Sequence, residues 1–150
     1  MTTHLQIRAF QPGDQEPVCA LILAGLGEHF GYIDETRNPD LEDIATHYLE
    51  QGHTCIVALH SGTLVGAGAL LLLSPEIGQI VRVSVAPLFR RRGIARALVD
   101  TLLHLGRARG LRLIQVETNN DWYDAIGLYE QCGFLQYDQD NESVYLAREL

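Results

Sequence analysis

Gln79-Ile80-Val81-Arg82-Val83-Ser84-Val85-Ala86-Pro87-Leu88-Phe89-Arg90-Arg91-Arg92-Gly93-Ile94-Ala95 is the stretch on which the reading of this chain turns. Gln79 to Val85 reads as a strand, and Ala86 to Phe89 as a short connector. Ile94 opens a strongly periodic helix. A strand that feeds a basic, glycine-containing turn at a helix start makes an anion site. The first helical N–H groups have no partner within the helix, and the helix dipole favours negative charge there. Gly93 lets a phosphate approach the backbone, and Arg90, Arg91 and Arg92 add charge-assisted donors. The simplest ligand is a phosphate or pyrophosphate. No Gly-Lys-Ser/Thr follows, so this is not a Walker loop, and GxGxxG is absent, so it is not a dinucleotide fingerprint.

The totals narrow the class. The chain has 150 residues, enough for one domain over 1–150 with a real core. It carries 19 acids against 11 basic residues and a net charge of −8, which argues against non-specific binding to nucleic acid or an anionic membrane. Three arginines in a row are therefore a local positive spot on an acidic protein. Cys19, Cys55 and Cys132 form no CxxC pair and read as reduced, mostly buried thiols. No histidine pair has metal-ligand spacing, so no metal is expected. The first residues carry no basic and apolar signal segment, and the longest apolar stretch, 63–73, is too short to span a bilayer. A cytoplasmic protein is expected.

Working outward, residues 4–10 alternate as a strand, and Asp14 reads as an N-cap for a helix to about Glu28. A second helix is expected from Pro39 to about Gln51, stopping at Gly52. Residues 53–60 and 63–73 form strands around Ser61-Gly62, a hairpin signal. Ile94, Ala97, Leu98, Leu102 and Leu105 mark one face of a helix ending at Gly110. A strand at 111–116, a helix at 123–131 and strands at 134–137 and 143–147 complete the order βααβββαβαββ. That is an α/β fold with a mixed central sheet.

Downstream stands Asp124-Ala125-Ile126-Gly127-Leu128-Tyr129-Glu130-Gln131-Cys132-Gly133-Phe134. It is similar to the Ala-Ile-x-Leu-Tyr-Glu-x-x-Gly-Phe signature of the GNAT superfamily of N-acetyltransferases. The turn Arg90-Arg91-Arg92-Gly93-Ile94-Ala95 resembles that superfamily's pyrophosphate loop, Arg/Gln-x-x-Gly-x-Gly/Ala, and Val83-Ser84-Val85-Ala86-Pro87 resembles its Val-x-Pro segment. The element order resembles the GNAT fold from end to end.

The resemblance implies direct attack of a neutral amine on the thioester of acetyl-CoA, used as co-substrate. It implies that backbone N–H groups of Arg91 to Ala95, with Arg90, hold the pyrophosphate. The pantetheine arm would lie along strand 79–85, near Val83 and Val85, where that strand splays from 111–116. A backbone N–H around Val83 would bind the oxyanion. Tyr129 matches the general acid that protonates the departing thiolate, the alternative being a packed aromatic. Many relatives carry a base glutamate early on this strand, and here that position is Gln79. Glu117 is then the preferred base, with Glu76, a water chain or a weakly basic acceptor left open.

For the acceptor, His29, Phe30 and Tyr32 lie in a non-periodic stretch bounded by glycines, and Trp122 in a similar one. Acids beside aromatics suit a cationic amine, whether small amine, amino acid or peptide. Rival readings are an acyl-CoA-binding sensor with little catalysis, a protein-modifying acetyltransferase and a nucleotide phosphate binder. Apolar strands near the C-terminus leave a homodimer possible.

Overall fold

Among the described residues seven strands form one sheet, in the order β1-β2-β3-β4-β5-β7-β6. The structure, a computed structural model, describes residues 4–30 and 38–150, the side chains of 28–30 excepted. The strands are β1 (Leu5–Ala9), β2 (Thr54–His60), β3 (Thr63–Leu72), β4 (Ile77–Val85), β5 (Leu113–Asn119), β6 (Leu135–Gln139) and β7 (Ser143–Glu149). The helices are α1 (Gln15–Phe30), α2 (Ile94–Ala108) and α3 (Tyr123–Gln131). All neighbouring strands are antiparallel except β4 and β5. Ser61 and Gly62 turn β2 into β3 with φ of 49° and 84°, the left-handed pair that a tight hairpin requires.

Successive strand residues point to opposite faces, so the sheet divides the core in two. On one face Val18 and Ile22 of α1 pack with Leu41, Ile44, Val57, Ala67 and Ala69. On the other, Ile94, Leu98 and Leu102 of α2 pack with Ile114, Val116, Tyr129, Phe134 and Leu146. The α2 residues are the stripe expected from spacing. Each such aliphatic side chain stabilises the fold by about 1.5–3 kcal/mol on burial.

Three expectations are corrected. The helix from Pro39 to Gln51 is two short turns, a 3-10 turn at Pro39–Leu41 and a π turn at Ala45–Leu49. The Gln15 side chain explains the break: its amide donates to the carbonyls of Leu41 (2.7 Å) and Glu42 (3.2 Å) and accepts from Ile44 N–H (2.9 Å). Those backbone groups are thereby diverted from a continuous helix. Asp14 does not cap α1 forwards. Its carboxylate accepts two bonds from Arg8 (2.7 and 3.0 Å) and one from Gln11 N–H (2.8 Å), tying it back to β1. Finally, β5 runs on to Asn119, so Glu117 lies inside the strand and not at its end.

Candidate active site

The β4–β5 interface sets the geometry. Parallel pairing is present at only three positions, Ile77↔Leu113, Gly78↔Ile114 and Gln79↔Gln115. Extending that register would bring Val81 beside Glu117. There, instead of a ladder, lies a cleft of about 680 Å³ lined by Asp40, His47, Tyr48, His53, Leu71, Val81, Arg82 and Glu117.

The strand also changes phase at this point. Ala69 pairs with Val81 and Ala67 with Ser84, so Gly68 alone faces both Arg82 and Val83. This β-bulge gives β4 one extra residue. Ile80 packs in the α2 core, Val81 in the α1 core, and Val83 and Val85 in the α2 core again. Arg82 carries the insertion with φ 60°, a left-handed conformation that costs an L-residue about 1–2 kcal/mol.

The Arg82 side chain is anchored across the cleft. Its Nη2 donates to Asp40 Oδ1 at 2.7 Å and its Nε to Asp40 Oδ2 at 3.1 Å. The Tyr48 hydroxyl donates to the same Oδ2 at 2.5 Å. Burial alone would raise the Asp40 carboxyl, but the Arg82 and Tyr48 hydrogen bonds outweigh it and hold the carboxyl below its ordinary value. Burial, then the adjacent carboxylate, pushes the Tyr48 phenol up. His53 is fixed too: Leu72 N–H donates to its Nδ1 at 2.9 Å, a bond that needs the Nδ1 lone pair.

Glu117 is exposed in the cleft, and Ser143 of β7 donates its hydroxyl to Glu117 Oε2 at 3.0 Å. Tyr145 pairs with Glu117 across β5 and β7, and its own hydroxyl is held by Asp140 at 2.6 Å. Tyr129 sits on the other face of β5, 7% exposed, edge-on to Phe134 at 5.4 Å. Burial pushes its phenol up. No hydrogen bond to its hydroxyl occurs among the described residues. Nearby in sequence, Thr118 Oγ1 is buried and likewise without a partner among the described residues.

At the far end of β4, Phe89 leads into Arg90 to Gly93. Arg90 Nε donates to the Val85 carbonyl at 3.1 Å, and the Arg92 guanidinium lies 5.1 Å from the Phe89 ring centre. Gly93 starts α2 with φ 80°, and a Cβ there would meet nothing within 4 Å. The glycine is thus required by backbone conformation, and the space beside it is open. Ala97 N–H bonds to the Gly93 carbonyl at 3.0 Å, so the N–H groups of Ile94, Ala95 and Arg96 precede the first helical bond. Arg90, Arg91 and Arg92 are all exposed. Together these groups fit a phosphate.

The structure therefore brings the cleft side chains, Glu117 among them, to the open part of β4. It puts Tyr129 on the opposite face of β5. Trp122 precedes α3 and buries its indole nitrogen, and it does not line the described cleft. Tyr32 and the side chains of His29 and Phe30 lie outside the described residues. Sequence reasoning missed Arg82, Asp40, Tyr48, His47 and His53. One signal was present: an arginine inside the apolar run Ile80-Val81-Arg82-Val83 needs a buried partner. Asp40 was hidden because an acid after Pro39 reads as a helix-start residue. Among the described residues no three His, Cys, Asp or Glu side chains group as a metal site needs, and no helix is long and apolar enough to cross a membrane.

Comparison with known proteins gives the family and the fold. A sequence model of the Acetyltransferase (GNAT) family matches residues 22–134. N-acetyltransferase family 8 member 2 of Rattus norvegicus is 36% identical over 108 residues, covering 69% of this chain and 48% of the relative. The chain spans about half the length of the curated relatives of that group it matches. An acetyltransferase structure from Streptococcus agalactiae superposes with a TM-score of 0.87 at 19% identity over 99% of both chains. The PaiA N-acetyltransferase of Thermoplasma acidophilum, solved in complex with coenzyme A, gives 0.85 at 13% identity over 97% of this chain and 99% of that one. At those identities the two structures speak for the fold.

Proposed function

The chain belongs to the acetyltransferase (GNAT) family, and on that premise we propose that it moves an acetyl group from acetyl-CoA to a primary amine by direct attack. The observation that carries this reading is the unladdered part of β4. It runs from the cleft at Val81 and Arg82 to the phosphate-ready turn at Arg90 to Gly93. A pyrophosphate held at the start of α2 lets the pantetheine arm lie along Val83 and Val85, with the thioester between β4 and β5.

The two faces of β5 then divide the chemistry. The acceptor enters on the Glu117 face, where the carboxylate takes the ammonium proton. The amine nitrogen bonds to the thioester carbon, and a backbone N–H at the bulge, around Val83, receives the developing oxyanion. As the C–S bond breaks, the thiolate takes its proton from Tyr129 on the other face, and the second proton that the attacking nitrogen sheds in becoming an amide passes through solvent to restore the phenol. Burial raises the phenol, so it stays protonated at neutral pH but is a weaker acid than a free tyrosine, and it is the thiolate developing beside it that draws the proton. Glu117 stands in for the acid that Gln79 cannot supply. The cleft volume suits an acceptor larger than a bare alkylamine, such as an amino acid or a peptide end.

The test is thiol release from acetyl-CoA across a panel of amines, amino acids and short peptides, with wild type beside Tyr129→Phe and Glu117→Gln. Release with one amine class, cut about 100-fold in Glu117→Gln, is expected. The resemblance leaves a second reading: Gln79 stands where it implies a base glutamate. Tight CoA binding with no release across the panel would favour that reading, a sensing module.

A further inference from the structure

We propose that Arg82 is a positioning residue: its ion pair with Asp40 sets the peptide plane that presents the Val83 N–H to the thioester oxygen. The inference rests on the acetyl-transfer reading above and adds to it a residue that acts through the Val83 amide.

Four observations converge on Arg82. It occupies the inserted position of the bulge, opposite Gly68. Its φ is 60°, in a region L side chains rarely occupy. Its guanidinium binds Asp40 through both Nε and Nη2. Asp40 in turn belongs to the Pro39–Leu41 turn and is shared with Tyr48 of the Ala45–Leu49 turn, so both turns of the cleft wall meet this one carboxylate.

The peptide bond is planar, so the Arg82 carbonyl and the Val83 N–H turn as one unit. A strained φ persists only where the surroundings hold it. No backbone ladder to β5 holds β4 here, because pairing ends at Gln79. The ladder to β3 holds β4 on either side, at Val81 and Ser84, and across the two residues between them the side-chain anchor is the forked bond to Asp40. A lysine would keep the charge but lose the fork.

This arrangement also couples the two halves of the site. Segment 39–49 walls the acceptor cleft, and the bulge lies on the cofactor path. A shift of Asp40 moves the wall and the Val83 N–H together.

The experiment follows the Val83 backbone amide by nuclear magnetic resonance in wild type, Asp40→Asn, Arg82→Lys and Arg82→Gly, alongside thiol-release kinetics and CoA affinity. Arg82→Gly accepts the left-handed φ without strain, so it separates backbone comfort from side-chain anchoring. Expected is a displaced, faster-exchanging Val83 amide in all three variants. The Val57 amide on β2 should stay in place, CoA affinity should hold within about twofold, and kcat should fall about tenfold, short of the roughly 100-fold that outright loss of an oxyanion donor costs. Partial recovery is expected in Asp40→Glu. An undisturbed Val83 amide in Asp40→Asn and Arg82→Gly overturns the inference. So does an active wild type matched in kcat by folded Arg82→Gly. A wild type that turns over no amine defeats the acetyl-transfer reading instead, and the amide measurement still decides the positioning of Val83.

Discussion

Ser143 and Glu117, on adjacent antiparallel strands, are joined by a 3.0 Å hydrogen bond from the serine hydroxyl to Glu117 Oε2. Ser143 is buried and Glu117 exposed, so a packed group aims one that faces solvent. Replacing Ser143 with alanine should leave the fold intact and lower kcat about threefold to tenfold, within the range of one net hydrogen bond of about 0.5–1.5 kcal/mol. Ser143→Thr should recover part of the loss. Equal steady-state kinetics in wild type and Ser143→Ala would remove Ser143 from the argument.

Tyr129 is expected to hold its proton across the working range. Its phenol lies above the ordinary value of 10.0, chiefly through burial. Ionisation of Tyr129 therefore causes no loss of activity on the alkaline side below about pH 10. Tyr129→Phe should lower kcat about 100-fold with CoA affinity unchanged. An alkaline limb below pH 9 that vanishes in Tyr129→Phe would show a phenol that burial does not raise, and an unchanged kcat in Tyr129→Phe would sink the acid assignment.

Gly93→Ala should weaken CoA binding by about tenfold, read by calorimetric titration. The new methyl meets no atom within 4 Å, so the effect comes from φ alone. Holding alanine at that φ costs about 1–2 kcal/mol, and relaxing it turns the α2 N–H groups away from the phosphate. Unchanged affinity would mean that the pyrophosphate sits elsewhere.

Acid should unfold the protein through Asp14 and Asp40. The Arg8 hydrogen bond holds Asp14 down, and Arg82 and Tyr48 hold Asp40 down against its burial. Each binds protons less readily folded than unfolded. The stability they add is complete above the ordinary carboxylate value of 3.8 and is lost as pH falls through their lower folded values. Asp40→Asn should flatten the acid branch of a plot of stability against pH, measured by urea unfolding. An unaltered branch would show that Asp40 adds nothing there.

Thr118→Val should stabilise the ligand-free protein, because the buried Thr118 hydroxyl lacks a partner among the described residues. Relieving an unsatisfied hydroxyl is worth about 1 kcal/mol or more, or roughly 2–4 °C in Tm for a chain this long. A lower Tm would reveal a hydrogen bond made in solution.

Much of this was legible in the chain itself. The α2 stripe, the Ser61-Gly62 hairpin and the strand–turn–helix around Gly93 are set by residues within one or two turns of each other. Local pattern therefore specifies them: apolar spacing for α2, and positive φ for Gly62 and Gly93. The phosphate-ready turn follows, since its donors belong to adjacent residues. Tyr129 could be named from its own motif.

What tertiary structure decided depends on contacts between distant segments. Gln15 breaks the helix expected at 39–51 through bonds spanning up to 29 residues. Arg82 meets Asp40 across 42 residues, and Ser143 meets Glu117 across 26. The bulge that sends Val81 and Val83 to opposite faces exists only as a mismatch between β3 and β4. No local window contains both members of such a pair. Sequence alone thus determined most of the elements and the family. The shape and charge of the cleft came from folding, because a half-buried ion pair forms only when the packed chain brings both charges together and excludes water around them.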